Sequence, residues 1–435
     1  MMRANLNVMF YKEEKFRDTP LGKFPEDWKI VRLEDIVKEV DLRAKDVKKS
    51  DIKRLPVLSL TKDFGLIPQE QRFHKRIAKG DTSNYKVVKE GWLVYNPFVI
   101  WEGAICVLKD SEIGLVSPVY LVWKPIANLD YRFLDYMLTT KRLLNTYLKF
   151  ATGAVQRRRS LKKKDFLKIS VPLPPYQEQI AITHVLSTVD EAIQKTDEII
   201  EKIRRLKKGL MRELLTKGIG HNEFKEDTEI GRVPKEWKIV KLGSVLELCQ
   251  YGLSIKMSDR GKYPIVRMDE IKNGYVTPKI TKRVNLDYET FRNFKLEKGD
   301  ILFNRTNSYE IVGKTGIFLL DGDYVFASYL IRLRVKRNMI DPHFLTFYLI
   351  FSHSKLRRLA TRGVQQANIN AASLKRFKIP LPPLNEQKEI VKILTTLDKR
   401  LEVERKRKEK LERIKKALMD LLLTGKIRIK VKENA

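Results

Sequence analysis

Two stretches of this chain carry apolar residues at alternating steps of four and three. In the first the positions are Ile182, Leu186, Val189, Ile193, Thr196, Ile200, Ile203, Lys207, Leu210 and Leu214, eight of the ten apolar, and no proline occurs between Tyr176 and Lys217. That is the seam of a coiled-coil helix. Pro172, Pro174 and Pro175 just before it preset extended backbone and exclude helix, so the helix is predicted to open at Tyr176. The second seam reads Ile390, Leu394, Leu397, Leu401, Glu404, Lys408, Leu411, Lys415, Leu418 and Leu422. Its middle holds the charged run ERKRKEK (404–410), which predicts packing at both ends and a wet centre. At 1.5 Å per residue such a helix spans roughly 60 Å. Two helices of like length in one chain, separated by a whole domain, predict an intramolecular antiparallel pair.

Ahead of each helix the text repeats. TPLGKFPEDWKIVRL (19–33) aligns with TEIGRVPKEWKIVKL (228–242), setting Trp28 on Trp237 at an offset of 237 − 28 = 209. KEGWLVYN (89–96) aligns with EKGDILFN (297–304), and VPLPPYQEQIAITHVLSTVD (171–190) with IPLPPLNEQKEIVKILTTLD (379–398), at 380 − 172 = 208. A spacing held this closely marks a duplicated unit of one domain followed by one long helix. The expected division is a first domain at 1–175, a helix at 176–218, a second domain at 219–383, a helix at 384–425 and a tail at 426–435. Each domain mixes short strand-like runs with helices at 131–150 and 342–361, so the fold class is α/β (α+β), two similar domains in a pseudo-two-fold arrangement. The similarity is strong at the shared motifs and weak between them, which predicts one frame carrying two different surfaces.

Charge then narrows the partner. Among 435 residues, 87 Lys and Arg face 54 Asp and Glu, giving a formal charge of +33. Such a surplus repels itself unless an anion lies against it, and nucleic acid is the natural candidate. Hydrophobic residues make up 43%, enough for real cores and too many for global disorder. Two cysteines, Cys106 and Cys249, build neither a disulfide framework nor a four-thiolate metal site. With no apolar run of signal-peptide or membrane-spanning length, the expected compartment is the cytoplasm.

Reading DNA needs guanidinium and amide groups that reach base edges, with basic groups for phosphate. In the second domain the loop Asn304, Arg305, Thr306, Asn307, Ser308 follows a strand at 300–303 directly; Asn96 opens the equivalent loop of the first domain. Later, Gln365, Gln366 and Asn368 stand where the first domain has Gln156, Arg157, Arg158 and Arg159, followed by Lys162 and Lys163. The amide-rich copy suits adenine edges and the arginine-rich copy suits phosphates.

Enzyme motifs are incomplete. Asn96-Pro97-Phe98 lacks the second proline of an adenine-methyltransferase motif, and no glycine-rich loop for S-adenosylmethionine is present. Gly313-Lys314-Thr315 ends like a phosphate-binding loop, yet Ser308 occupies the place of its first glycine. Asp18 with Asp27-Trp28-Lys29, and Asp227 with Glu236-Trp237-Lys238, resemble a nuclease's metal-holding acid-x-Lys sets and keep a stand-alone metal-dependent nuclease as an alternative. A DNA-bridging protein without sequence preference is the other.

The duplicated IGRVPKEWKIVKL, the strand KGDILFNR, and IPLPPLNEQKEIVKILTTLD leading to a helix that closes with LLLTGKI resemble the specificity subunits of type I restriction-modification systems. The resemblance covers both halves. It implies two target recognition domains, each reading one half of a split asymmetric site, with the helices setting the spacing. It further implies a chain with no activity or cofactor of its own. Its partners would be double-stranded DNA, two modification subunits binding S-adenosylmethionine, and restriction subunits using ATP and magnesium.

Overall fold

A computed structural model describes residues 8–47, 55–62, 65–73, 81–109, 111–126, 128–153, 159–227, 229–277, 279–363 and 366–431. The chain forms two compact units, Met1–Asp197 with Arg407–Ala435, and Glu198–Lys406. Each therefore holds one globular domain and a half of each long helix.

In the first unit a four-stranded antiparallel sheet runs in the order Ile105–Val107, Leu93–Tyr95, Leu121–Pro125, Val37–Glu39. The second unit repeats that order with Thr315–Ile317, Ile301–Asn304, Leu330–Val335 and Leu246–Tyr251. It then extends the sheet by a hairpin, Ile271–Lys272 and Tyr275–Val276. Asn273 (φ 53°) and Gly274 (φ 88°) turn that hairpin, because a tight two-residue turn requires positive φ at both positions.

The helical segments expected at 131–150 and 342–361 are each broken in two, as Tyr131–Leu138 with Lys141–Phe150, and Pro342–Phe351 with His353–Arg357. Thr139 Oγ1 donates to Asp135 O and Tyr136 O, and Thr140 Oγ1 to Met137 O. Hydroxyls that bond the preceding turn close a helix, and Thr140 then takes extended backbone (ψ 142°). Ser352 marks the break in the second copy, with ψ at 9°.

The long helices run Tyr176–Lys217 and Leu384–Leu422. Inside each unit their halves are antiparallel. The first unit pairs Asp197 with Lys408 (2.7 Å) and Asp190 with Lys415 (2.6 Å), and the second pairs Lys207 with Asp398 (2.5 Å). Within the first unit the two pairs share one antiparallel register, since 197 + 408 and 190 + 415 both equal 605. Ile182 and Leu186 pack with Leu418, Met419 and Leu422 in the first core, and Leu210 and Leu214 with Ile390 and Leu394 in the second. The expected wet centre is corrected at Glu404, which is only 1% exposed and is held by Arg400 at 2.6 Å. The seam turns inward there, and an ion pair lets it do so.

The repeated motif residues meet where domain joins helix. Trp28 and Trp237 are fully buried and donate their indole N–H to Glu178 (3.2 Å) and Glu386 (2.9 Å). Gln179 donates to Pro174 O (2.9 Å) and accepts from Asp130 N (3.0 Å); Gln387 does the same with Pro382 O and Asp341 N, both at 2.8 Å. Asp130 and Asp341 are in turn the N-caps of the domain helices. One Glu-Gln pair thus ties the proline turn, the tryptophan and a domain helix to the start of each long helix. In the first unit Val8–Lys12 also pairs with Ile427–Val431, which brings Arg428 onto Glu178, Asp27 and Glu13.

Candidate nucleic-acid interface

In the second domain the structure brings the two sequence-predicted loops together. The central strand ends at Asn304, and Thr306–Asn307 then pairs with Ala367–Asn368, which pairs with Thr361–Arg362. Asn368 Nδ2 donates to Thr306 Oγ1 at 3.2 Å, and Ile369 N donates to Arg305 O at 2.9 Å. Gly363 N to Gln366 O (2.7 Å) closes the hairpin and leaves Gln366 exposed.

Most of the expected readers here build the platform. Arg305 lies over the Tyr251 ring (4.8 Å) and donates to Ser328 O (3.4 Å) and Asn368 Oδ1 (3.2 Å). Asn307 accepts from Ser308 N at 2.8 Å and points its amide at Met268 Sδ. The Ser308 carbonyl accepts from Ile311 and Val312. Asn304 is a correction: it is 0% exposed inside the sheet, so no base can reach it. The strand Ile301–Asn304 is buried throughout and ends one residue later than its apolar letters suggest. Tyr251, Met268 and Ser328 carried no signal in sequence, because each contributes through a contact between segments distant in the chain.

The first domain uses the same frame. Leu161 N donates to Pro97 O (2.8 Å), the equivalent of the Ile369 to Arg305 bond, and a Thr152–Ser160 bridge closes its hairpin. Asn96 Oδ1 accepts from Phe98 N at 3.1 Å, so this side chain also shapes its loop, leaving Phe98 48% exposed. Lys162 is exposed; Lys163 is exposed but paired with Glu39 at 2.8 Å; Arg159 is half-buried. Gln156, Arg157, Arg158 and Gln365 lie outside the described residues.

Asp27 is bound through both oxygens by Arg428 (2.8 and 2.9 Å), and Thr315 of the incomplete phosphate-loop motif is buried in a strand. Among the described residues no three His, Cys, Asp or Glu side chains gather where they could hold a metal ion.

A frame repeated twice, with different loops on each copy, defines a tandem reading protein. A family model for the type I restriction modification DNA specificity domain matches residues 25–205 and again 234–413, and the chain belongs to that family. It is similar to the type I restriction enzyme MjaVIII specificity subunit of Methanocaldococcus jannaschii, at 30% identity over 97% of this chain and 98% of that protein. The EcoKI specificity subunit of Escherichia coli is 25% identical over 68% of this chain and 61% of its own length. The crystal structure of a type I system S subunit from M. genitalium shares the fold, with a TM-score of 0.57 at 15% identity over 93% of this chain and 98% of that one.

Proposed function

We propose that this chain is the sequence-reading subunit of a type I restriction-modification complex, each domain reading one half of a split asymmetric DNA site. The observation that carries this is the duplicated platform. The bond from the residue after the hairpin to the loop carbonyl recurs at Leu161–Pro97 and Ile369–Arg305, while the side chains around it differ. Shared support with unlike decoration suits two different half-sites. The long helices hold the readers and offer one repeated face to two modification subunits, with restriction subunits joining them. S-adenosylmethionine, ATP and magnesium belong to those partners, and catalysis with them. The complex works where the genomic DNA lies, in the cytoplasm. Among the described residues no helix is long and apolar enough to cross a membrane.

The test is to co-purify the chain with a cognate modification subunit and map methylated adenines on genomic DNA. A gapped bipartite motif is expected. Exchanging residues 19–170 for the corresponding domain of a relative should change one half of that motif and leave the other. Methylation that is equal without this chain, or changes in both halves, would overturn the reading.

A further inference from the structure

In both units one helix aspartate ties three elements together. Asp190 accepts from the Tyr136 hydroxyl (2.7 Å) on the domain helix and pairs with Lys415 of the opposing long helix (2.6 Å). Asp398, its equivalent at 398 − 190 = 208, accepts from the Tyr275 hydroxyl (2.9 Å) and pairs with Lys207 (2.5 Å). Each lysine also lies over an aromatic ring six residues after the helix N-cap, Lys415 over Tyr136 (5.6 Å) and Lys207 over Phe347 (5.1 Å).

The differing detail is the informative one. Phe347 sits where the first domain has Tyr136 but carries no hydroxyl. The second domain supplies the hydroxyl from elsewhere, Tyr275 on the Asn273-Gly274 hairpin at the edge of its sheet. The lysine pairs the two helices and meets the domain only through a ring face, so the hydroxyl adds the directional hydrogen bond from the reading domain to the helices. Burial and the adjacent carboxylate raise both phenols' pKa, so they stay protonated and donate.

We propose that Tyr136 and Tyr275 are positioning residues that fix the angle at which each reading domain stands on its helices, and so the number of base pairs accepted between half-sites. This rests on the split-site reading above. One base pair moves a half-site by about 3.4 Å and turns it by about 35°, so a domain held at a fixed angle meets its bases at one gap only. A charge-assisted hydrogen bond is strong enough to govern such an equilibrium by about tenfold.

The experiment uses the complex of full-length chain and modification subunit, with oligonucleotides carrying the mapped site at its own gap and at one base pair more or less. If the wild type methylates without regard to half-site bases, the split-site reading fails before this proposal is reached. Otherwise, Tyr136→Phe with Tyr275→Phe should cut discrimination between gaps about tenfold, with base preference inside each half-site unchanged. Lys207→Met with Lys415→Met, which spares the hydroxyl bonds, should keep gap discrimination. Should the double tyrosine variant fold poorly, Tyr136→Phe and Tyr275→Phe are each measured alone, and a smaller loss of gap discrimination is expected from either. Unchanged gap discrimination in the tyrosine variants would overturn the proposal, as would equal loss of gap and base preference.

Discussion

Glu386 accepts the indole N–H of Trp237 at 2.9 Å, and the same carboxylate takes His221 Nε2 and the backbone N–H of Ile219, each at 2.9 Å. Three groups thus converge on one side chain at the domain–helix junction. Glu386→Ala strands them and should destabilise the second unit by about 3 kcal/mol, whereas Glu386→Gln keeps one acceptor oxygen and costs about half as much. Urea unfolding of the full chain measures both. A Glu386→Ala midpoint equal to wild type would show that the junction does not depend on this carboxylate.

The equivalent junction of the first unit is pH-sensitive through its carboxylates. The Arg428 hydrogen bonds hold Asp27 below its ordinary value of 3.8; Glu13, bonded first by the Lys15 backbone N–H and also by Arg428, lies below 4.5. A carboxylate lowered by folding stabilises fully above its unfolded value, and that contribution disappears as pH falls through the folded one. Stability from these groups is therefore complete above about pH 4.5 and lost progressively below it. Thermal melts should show Asp27→Asn less stable than wild type at about pH 7, with the difference shrinking as pH falls below about 4. A constant difference across that range would contradict the linkage.

The junction explains why so much of the fold was legible in the sequence. Trp28, the Pro174-Pro175 turn, Glu178 and Gln179 bond to one another, so both copies keep these residues and the offsets of 208 and 209 stay visible. The seams were legible for the same reason, since Leu186 and Leu394 each fill a fixed register position. Features set by partners far along the chain were not. Arg305 reads as a free guanidinium until Tyr251 is placed beneath it, and Asn304 reads as the start of a loop until the sheet closes over it. The break at Thr139 was hidden because apolar spacing continues across it, and only the hydroxyl bonds to the preceding turn reveal it.

Gln366 and Arg305 should separate reading from support. Gln366 is exposed at the hairpin, so Gln366→Ala should cost about 1–3 kcal/mol of discrimination at one base of one half-site and leave the other half unaffected. Arg305 is spent on Tyr251, Ser328 and Asn368, so Arg305→Met should weaken preference at every position of that same half-site. Methylation rates on a panel of single-base variants distinguish the two patterns. A single-position effect from Arg305→Met would make it a reader after all.

Lys162 and Lys163 are neighbours with different electrostatic surroundings, and salt dependence should tell them apart. Lys163 already pairs with Glu39 at 2.8 Å, while Lys162, exposed at the start of the short helix Lys163–Leu167, carries no such pair among the described residues. A lysine that neutralises a phosphate releases its counterion, and each such contact adds about 0.9 to the slope of log affinity against log salt. Lys162→Ala should lower that slope by about one and weaken binding alike on cognate and random DNA. Lys163→Ala should change it by much less, because its charge is partly neutralised before DNA arrives. Titrating the assembled complex against labelled duplex between about 50 and 200 mM salt gives both slopes. Equal changes in the two variants would mean that the Glu39 pair opens on binding, and no change in either would place this segment away from the duplex.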